Sequence, residues 1–397
     1  MKQYFNICNI YILLWCLFNY TFALSMPISR PIFALLFAIT AYYTVYAVSN
    51  YKLPIYMKGL LVLLSLFTVY GVLLLFSDVQ LYISMVDKEV SKYVYLITIY
   101  KSLLPVFPFF VFASRGELTE KSIRWWMPVF ILFTIATFYA TNSLMMSVAD
   151  SGRVDFTNNT GYVFVSLMPL VFLFYNRKFW QYALLIVMMA YVVLSMKRGA
   201  VVTGGVFVLW FIFWKIKSSN SRRKLLMVAM SIGLLAVVYY LFNQLYSSSE
   251  YFRFRVESTM EGQTSGRDSI YEYLWFYYNT YMTEFQQLFG MGAESTLLIG
   301  DNYAHNDWLE ILINNGALGT LVYAIYWLCF IVSVKRAHSN SLIFPMMIGV
   351  CSIYFLKTLF SMSYGDMTCY ATMTLGYCLA IGMQSSSKPN LKNKLYI

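Results

Sequence analysis

The sequence predicts an all-α integral membrane protein with about twelve transmembrane helices and one large loop outside the cytoplasm. Hydrophobic residues make up 59% of the 397 residues and charged residues only 12%, with a mean hydropathy of +0.60. A soluble chain carries about twice that charged fraction. Apolar stretches of about 20 residues, the length needed to cross ~30 Å of hydrocarbon as a helix, recur from one end of the sequence to the other. The whole chain is therefore interpreted as one polytopic domain, residues 1–397.

The twelve predicted spans are separated by short polar segments, with one exception. Between the ninth and tenth spans lies a long polar stretch, residues 244–316. The predicted spans are approximately 4–24, 31–49, 58–76, 94–113, 125–141, 161–176, 179–196, 199–214, 225–243, 317–334, 342–360 and 368–384.

The distribution of charge orients these spans. With the N-terminus inside, 18 of the 29 lysines and arginines fall on the cytoplasmic side, as the positive-inside rule requires. Both termini are then cytoplasmic and the long loop faces outward. The basic net charge of +11 follows from this topology and gives no reason to expect a nucleic-acid partner. The six cysteines lie in or beside apolar spans, without the spacing of a zinc or redox site.

The outer loop contains a predicted amphipathic aromatic helix. Ser265 and Asp268 have the spacing of a capping box, which places Arg267 in the first helical turn. Apolar residues then recur at helical spacing, and such aromatic helices favour the membrane interface. The segment Leu288–Gly300 is predicted to be irregular because glycines interrupt it. The recurring apolar residues are Ile270, Leu274, Tyr278, Tyr281 and Phe285.

The end of the loop carries His305, one of two histidines in the chain. Asp307 and Glu310 stand at N-cap and N3 spacing and predict a short helix capped by Asp307. Gly316 is the predicted end of that helix. A side chain that exchanges protons near neutral pH would then lie just above the membrane.

Cations at the outer face predict an anion site. Lys197 and Arg198 stand side by side at the start of the eighth span, where the free N–H groups of the helix point outward. The alternatives are a lipid headgroup contact for this pair, a solvated pairing of Arg267 with Asp268 or Glu272, and a packed interfacial histidine at His305.

Three motifs, taken in order, resemble those of the bacterial O-antigen ligase and O-antigen polymerase superfamily, which are multi-pass glycosyltransferases of the GT-C type. They are Ser195-Met196-Lys197-Arg198-Gly199-Ala200, then Ser265-Gly266-Arg267, then Ala304-His305-Asn306-x-Trp308-Leu309 with Gly316-x-x-Gly319. The resemblance covers about residues 160–335. It also implies twelve helices with a large periplasmic loop in this position.

The resemblance implies transfer of a saccharide from an undecaprenyl diphosphate carrier to an acceptor hydroxyl, at the outer face of the bacterial inner membrane. It implies His305 as the catalytic base or orienting group, and Arg198 and Arg267 as ligands of the diphosphate. Lys197 and Lys357, which lies near the outer end of the eleventh span, are expected to supplement that diphosphate site. No metal or cofactor is expected, the reaction would be inverting, and the acceptor would be a glycan or lipid A-core.

Two other classes of protein remain open from the sequence. Twelve helices also fit a transporter or lipid-sugar flippase, although transporters usually show two related halves and polar sites at the midplane. A non-catalytic scaffold would not need the arginines and the histidine. Ligase and polymerase share the motifs, so the sequence does not choose between them.

Overall fold

A computed structural model describes residues 6–83, 88–149, 158–262, 266–300, 302–364 and 369–387. Over these residues the chain forms helices α1 to α17, one 3₁₀ helix, Met168–Phe174, and one hairpin of strands β1, Leu81–Ile83, and β2, Lys88–Val90. The helices are α1 Ile7–Ala23, α2 Ser29–Asn50, α3 Ile55–Leu75, α4 Tyr93–Leu103, α5 Val106–Ser114, α6 Glu120–Ala149, α7 Thr160–Leu167, α8 Lys178–Leu194, α9 Arg198–Lys217, α10 Ser221–Ser248, α11 Glu250–Met260, α12 Arg267–Thr280, α13 Glu284–Phe289, α14 Ser295–Gly300, α15 Asp307–Arg336, α16 Ile343–Phe360 and α17 Cys369–Ser387.

Helical structure coincides with every predicted span. In the described part of the chain, eight helical segments have the length and composition to cross a bilayer, and the count of twelve spans stays a prediction. Helices α1 and α8 and the segment from α7 through the 3₁₀ helix are apolar but shorter. The chain is therefore a mostly helical, multi-pass membrane protein. The eight segments are Ser29–Asn50, Ile55–Leu75, Tyr93–Ser114, Glu120–Leu144, Arg198–Lys217, Arg223–Ser248, Asp307–Arg336 and Ile343–Phe360.

One short hairpin, which the sequence did not predict, interrupts the otherwise helical fold. Strands β1 and β2 pair antiparallel between α3 and α4, with Leu81 opposite Val90 and Ile83 opposite Lys88. Leu81 is buried, and β1 packs against α14 of the outer loop. A three-residue strand is too short to give a readable alternation of polar and apolar residues, which is why the sequence did not reveal it.

Short helices form the centre of the molecule and longer ones surround it. Every residue from Val106 to Ala113 in α5 and from Thr160 to Phe174 is buried. Helix α5 packs on α17, α15 on α3, and α16 on α9. In contrast, α2 and α10 are strongly apolar yet mostly exposed. Because apolar side chains gain nothing by facing water, these outer helices present the surface suited to lipid.

The predicted aromatic helix of the outer loop is α12. Only some of the residues predicted to form its apolar face are buried. Leu274 is fully buried in a cluster with Met282, Ala304 and Ile313, and Ile270 and Tyr278 pack against that cluster. Tyr281 and Phe285, however, are 63% and 69% exposed. They leave the predicted face because α12 ends at Thr280 and the chain turns before α13.

The start of α12 also differs from the prediction. Its N-cap is Gly266, in the left-handed region with φ of 77°. Arg267 is the first helical residue, as expected. Ser265, the proposed capping residue, lies outside the described residues.

The segment Leu288–Gly300 is more ordered than expected, since α13 reaches Phe289 and α14 occupies Ser295–Gly300. The break between them falls at Gly290 and Gly292, both with positive φ. Here the backbone crosses that of α15, and a Cβ on Gly290 would lie 2.3 Å from the Asn314 carbonyl oxygen. The glycines are therefore needed for close backbone approach as well as for the turn.

Candidate functional site

Four of the five predicted site residues line a single cavity of about 290 Å³ under the outer loop. Lys197, Arg267, His305 and Lys357 all face it, although they come from four separate segments of the chain. Most of the other lining residues are aromatic or apolar. They come mainly from α4, from α7 and from the segment after α16. A concave, mostly apolar site with a few convergent polar groups is typical of a small-molecule binding site.

The backbone around His305 is held in an unusual conformation. His305 has φ of +53°, a left-handed geometry that is uncommon for a residue with a side chain. Its carbonyl oxygen accepts a hydrogen bond from the Tyr271 hydroxyl at 3.3 Å. Before it, the Ala304 N–H donates to Glu310 at 2.7 Å. The imidazole is thus carried on a loop whose position is fixed from both sides.

The prediction that Asp307 caps the short helix is wrong. The N-cap is Asn306, whose Oδ1 accepts the N–H groups of Trp308 and Leu309 at 3.0 and 3.2 Å. Asp307 is fully buried and accepts the Ser363 N–H at 2.9 Å and the Tyr323 hydroxyl at 2.6 Å. A buried carboxylate needs such partners, and Asn306 has the same capping chemistry as aspartate.

Glu310 is likewise buried inside the loop instead of serving as a surface N3 residue. It accepts hydrogen bonds from the Thr296 hydroxyl, the Ala304 N–H and the Asn314 amide. Gly316 behaves as predicted in one respect, because its φ of 68° and ψ of −170° interrupt the helical geometry of α15. The chain then continues as the long apolar part of α15.

The outer loop is attached to the end of α16 by several side chains. The Arg267 guanidinium donates to the Phe360 carbonyl at 2.9 Å. Asn306 and Tyr271 donate to the Leu359 carbonyl at 3.3 and 3.5 Å. Trp308 Nε1 donates to Thr358 Oγ1 at 3.1 Å. These contacts close the cavity on the side of α16.

The cations form one group. Lys197 is the N-cap residue of α9 and follows Met196, which has φ of +51°. Burial lowers the pKa of Lys197 to about 8, with the charges of Arg267, Arg255 and Arg198 acting in the same direction. Among the described residues, Lys197, Arg255 and Arg267 form no salt bridge. The like charges of these side chains repel one another, and an anion bound between them would offset that repulsion. This group therefore favours a bound anion.

Arg198 does not line the cavity, whereas Arg267, the other arginine predicted to bind diphosphate, does. Arg198 Nη1 donates to the Thr259 hydroxyl of α11 at 2.5 Å. Its neighbour Lys197 faces the cavity instead. Arg198 remains close enough to influence Lys197 electrostatically.

Arg255 is a member of the group that the sequence interpretation missed. It lies on α11, its Nη1 donates to the Tyr251 hydroxyl at 3.1 Å, and its guanidinium stacks over that ring. Its buried Nε has no hydrogen-bond partner in the described part of the chain.

Lys357 is buried, with its Nζ 4.9 Å from the centre of the Tyr162 ring. Glycines allow the close packing around Tyr162. A Cβ on Gly199 would lie 2.1 Å from the Tyr162 hydroxyl, and a Cβ on Gly161 would lie 2.3 Å from Ser195 Oγ. Glycine therefore lets α7 and α9 approach closely enough for Tyr162 to reach the cavity.

Burial and the neighbouring cations favour the neutral form of His305. Burial lowers the pKa of His305 to about 4, and the positive charges of Arg267 and Lys197 act in the same direction. At neutral pH the imidazole carries one N–H and one accepting nitrogen. It can therefore hydrogen-bond a hydroxyl without adding a further positive charge to the group.

Glu294 and Tyr303 also line the cavity and were not predicted. Glu294 lies between α13 and α14 with φ of +64° and is 6% exposed. It shares a hydrogen bond with Tyr303, which lies two residues before His305. The described residues contain no cluster of three or more histidine, cysteine or acidic side chains arranged to hold a metal ion.

Residues 183–324 match the family model described as O-antigen ligase. The matched segment lies within the predicted 160–335 core and contains every cavity cation except Lys357. The resemblance to the O-antigen ligase and polymerase superfamily is confirmed by this match. No curated protein matches the chain.

Proposed function

From the match of residues 183–324 to the O-antigen ligase family, we propose that the chain transfers saccharide units from an undecaprenyl diphosphate-linked donor to an acceptor hydroxyl. The reaction takes place at the outer face of the bacterial inner membrane. Its acceptor is a growing glycan or a lipid A-core, for a polymerase or a ligase respectively. No cofactor takes part.

The observation that carries this proposal is the meeting of Lys197, Arg267 and His305 in one cavity. Transfer from a lipid diphosphate needs cations for the leaving group and a hydrogen-bonding group for the incoming hydroxyl. Both are present here within a small, largely apolar space, where charge interactions are stronger than in water.

The donor diphosphate lies against the cations in this proposal. Lys197, Arg267 and Lys357 contact it from the cavity wall, and Arg198 and Arg255 add positive charge from α9 and α11. As the bond from the anomeric carbon to the phosphate oxygen breaks, negative charge grows on the diphosphate. Fixed cations stabilise that charge without a metal ion.

His305 contacts the acceptor hydroxyl in this proposal. Its neutral ring accepts a hydrogen bond from the hydroxyl and directs the oxygen lone pair toward the anomeric carbon. Direct displacement of the diphosphate by that oxygen inverts the anomeric configuration. The exposed aromatic residues of α12 and α13 are the proposed contact of the loop with the membrane surface.

Reconstitution in proteoliposomes tests the proposal. The donor is the undecaprenyl diphosphate-linked repeat unit isolated from cells that make the polysaccharide, supplied with and without a lipid A-core acceptor. We expect donor consumption and a saccharide product, undiminished by EDTA. Growth of the glycan without lipid A-core identifies a polymerase, and transfer only to lipid A-core identifies a ligase.

The same vesicles address the alternative class of protein. Movement of the lipid-linked saccharide across the bilayer without any change in its covalent structure would identify a flippase and contradict the proposal. A strict requirement for a divalent metal would contradict the proposed role of the cations.

A further inference from the structure

Glu294 is a buried carboxylate that the packing of the loop does not account for. It is 6% exposed, and its Oε2 has no hydrogen-bond partner among the described residues. The neighbouring Glu310 differs, because three groups donate hydrogen bonds to it, as expected for a carboxylate with a structural role. A buried polar atom without a partner requires an explanation in a folded protein.

The backbone holds Glu294 firmly in place. The Leu297 N–H donates to the Glu294 carbonyl at 3.0 Å, and the Gly292 N–H donates to the Asn314 carbonyl at 3.0 Å. The left-handed φ of 64° at Glu294 turns the chain at this point from α13 into α14. The Glu294 side chain is part of the lining of the cavity that His305, Lys197 and Arg267 also line, so its carboxyl group belongs to the same site as they do.

Charges divide the cavity into two environments. Around His305, burial and then the positive charges of Arg267 and Lys197 reduce the affinity of the ring for a proton. Around Glu294 the effect is reversed: burial, followed by the negative charge of Glu310, raises its pKa to about 8, and the hydrogen bond from Tyr303 partly opposes this. The proton released by an acceptor hydroxyl is therefore held better by Glu294 than by His305.

Resting on the proposed function, we infer that Glu294 is the proton acceptor of the transfer reaction. The acceptor oxygen forms a bond to the anomeric carbon while its proton moves to the Glu294 carboxylate. The bond from the anomeric carbon to the phosphate oxygen breaks, and the diphosphate leaves with that electron pair. His305 is then a group that orients the hydroxyl, and the cations hold the leaving group.

The inference makes a prediction about pH. A raised carboxyl pKa means that the charged, proton-accepting form increases as the pH rises, so kcat/KM should rise about tenfold per unit and level off above about pH 8. The other titratable groups that line the cavity or influence Glu294 must be considered in reading this profile. They are Glu310, Tyr95, Tyr162, Tyr303, Tyr364, His305, Lys197, Arg267 and Lys357.

Two substitutions test the role of Glu294 in the reconstituted full-length protein. Glu294→Gln should lower kcat/KM by about 10²–10⁴-fold and abolish the rise toward pH 8, while binding of undecaprenyl diphosphate stays unchanged. Tyr303→Phe removes the hydrogen bond that lowers the Glu294 pKa and should shift the rise to higher pH. The control is Glu284→Gln, an exposed carboxylate at the start of α13, which should match wild type.

The outcomes separate this inference from the proposed function. If the wild-type protein transfers saccharide and Glu294→Gln does so at the same rate, the proposed function stands and the role of Glu294 is overturned. The role is also overturned if Glu294→Gln is slow but keeps the same pH profile. A shifted profile in Tyr303→Phe supports the role even if Glu294→Gln does not accumulate. If the wild-type protein transfers nothing, the proposed function fails and this role with it.

Discussion

At the scale of single residues, His305 combines a left-handed backbone with a neutral ring in a cationic cavity. A ring with a pKa of about 4 is a poor proton acceptor at neutral pH but a good hydrogen-bond acceptor. We expect His305→Ala to lower turnover about 10²-fold or more through loss of orientation. His305→Gln should keep most of that activity, because its amide still hydrogen-bonds the acceptor.

Both histidine variants are assayed by turnover of lipid-linked donor in proteoliposomes. Binding of undecaprenyl diphosphate checks that the site is intact. The expected neutral state also means that lowering the pH from neutral to about 5 leaves the His305 ring mostly unprotonated. Equal losses of about 10²–10⁴-fold in both variants would instead identify His305 as the base.

The arginines give a second prediction at this scale. Arg267 lines the cavity, whereas Arg198 is turned toward Thr259 of α11. Arg→Lys keeps the charge but loses the planar, bidentate geometry that suits phosphate. Arg267→Lys should therefore lower transfer and weaken undecaprenyl diphosphate binding more than Arg198→Lys does.

Arg253→Lys is the matched control for these variants, since Arg253 also lies on α11 but is exposed and contacts Glu250 at 3.9 Å. It should behave as wild type in both assays. Unchanged donor binding in Arg267→Lys would show that the cations do not recognise the diphosphate through a guanidinium.

At the scale of elements, the crossing of Gly290 and Gly316 positions α13 against α15. A Cβ on Gly316 would lie 2.4 Å from the Gly290 nitrogen, and both residues have positive φ. We expect Gly316→Ala or Gly290→Ala to destabilise the protein by about 1–3 kcal/mol through overpacking and strain. Thermal unfolding in detergent measures this.

Gly233→Ala serves as the control, because Gly233 lies in α10 and a Cβ added there would have no neighbouring atom within 4 Å. Alanine favours a helix by about 1 kcal/mol over glycine, so this variant should be as stable as wild type or slightly more stable. A Gly316→Ala protein with wild-type stability would mean that the two backbones are not in close contact.

Sequence reasoning located the elements of the loop better than their contacts. Hydrophobic periodicity predicted α12, and the glycine at position 316 predicted the break there. Both patterns depend only on residues close together in the sequence. The role of Asp307 was misread, because its partners Tyr323 and Ser363 are distant in sequence. Glu294 and Arg255 were missed for the same reason, since each gains its significance from side chains of other segments.

At the scale of the whole molecule, the twelve predicted spans fall on helices, yet their number depends on hydropathy alone and their orientation on charge counting alone. We expect residues 244–316 to face outward. Cysteines introduced at Ser248 or Thr264 in a cysteine-free background should react with a membrane-impermeant reagent in intact spheroplasts.

A cysteine at Ser219, in the turn between α9 and α10, is the matched control and should react only after permeabilisation. The reverse pattern would invert the topology. It would also remove the cavity from the side of the membrane on which the proposed donor is displayed.

The attachment of the loop to α16 has a consequence for exchanging parts between related proteins. Arg267, Tyr271 and Asn306 all bind carbonyl groups at Leu359 and Phe360, and Asp307 binds Ser363. These partners lie outside the family-matched segment 183–324. A chimera that contains only the loop of a related protein would therefore lose the hydrogen bonds between the loop and the end of α16. Exchanging the loop between related proteins therefore requires residues 357–364 to be exchanged together with it.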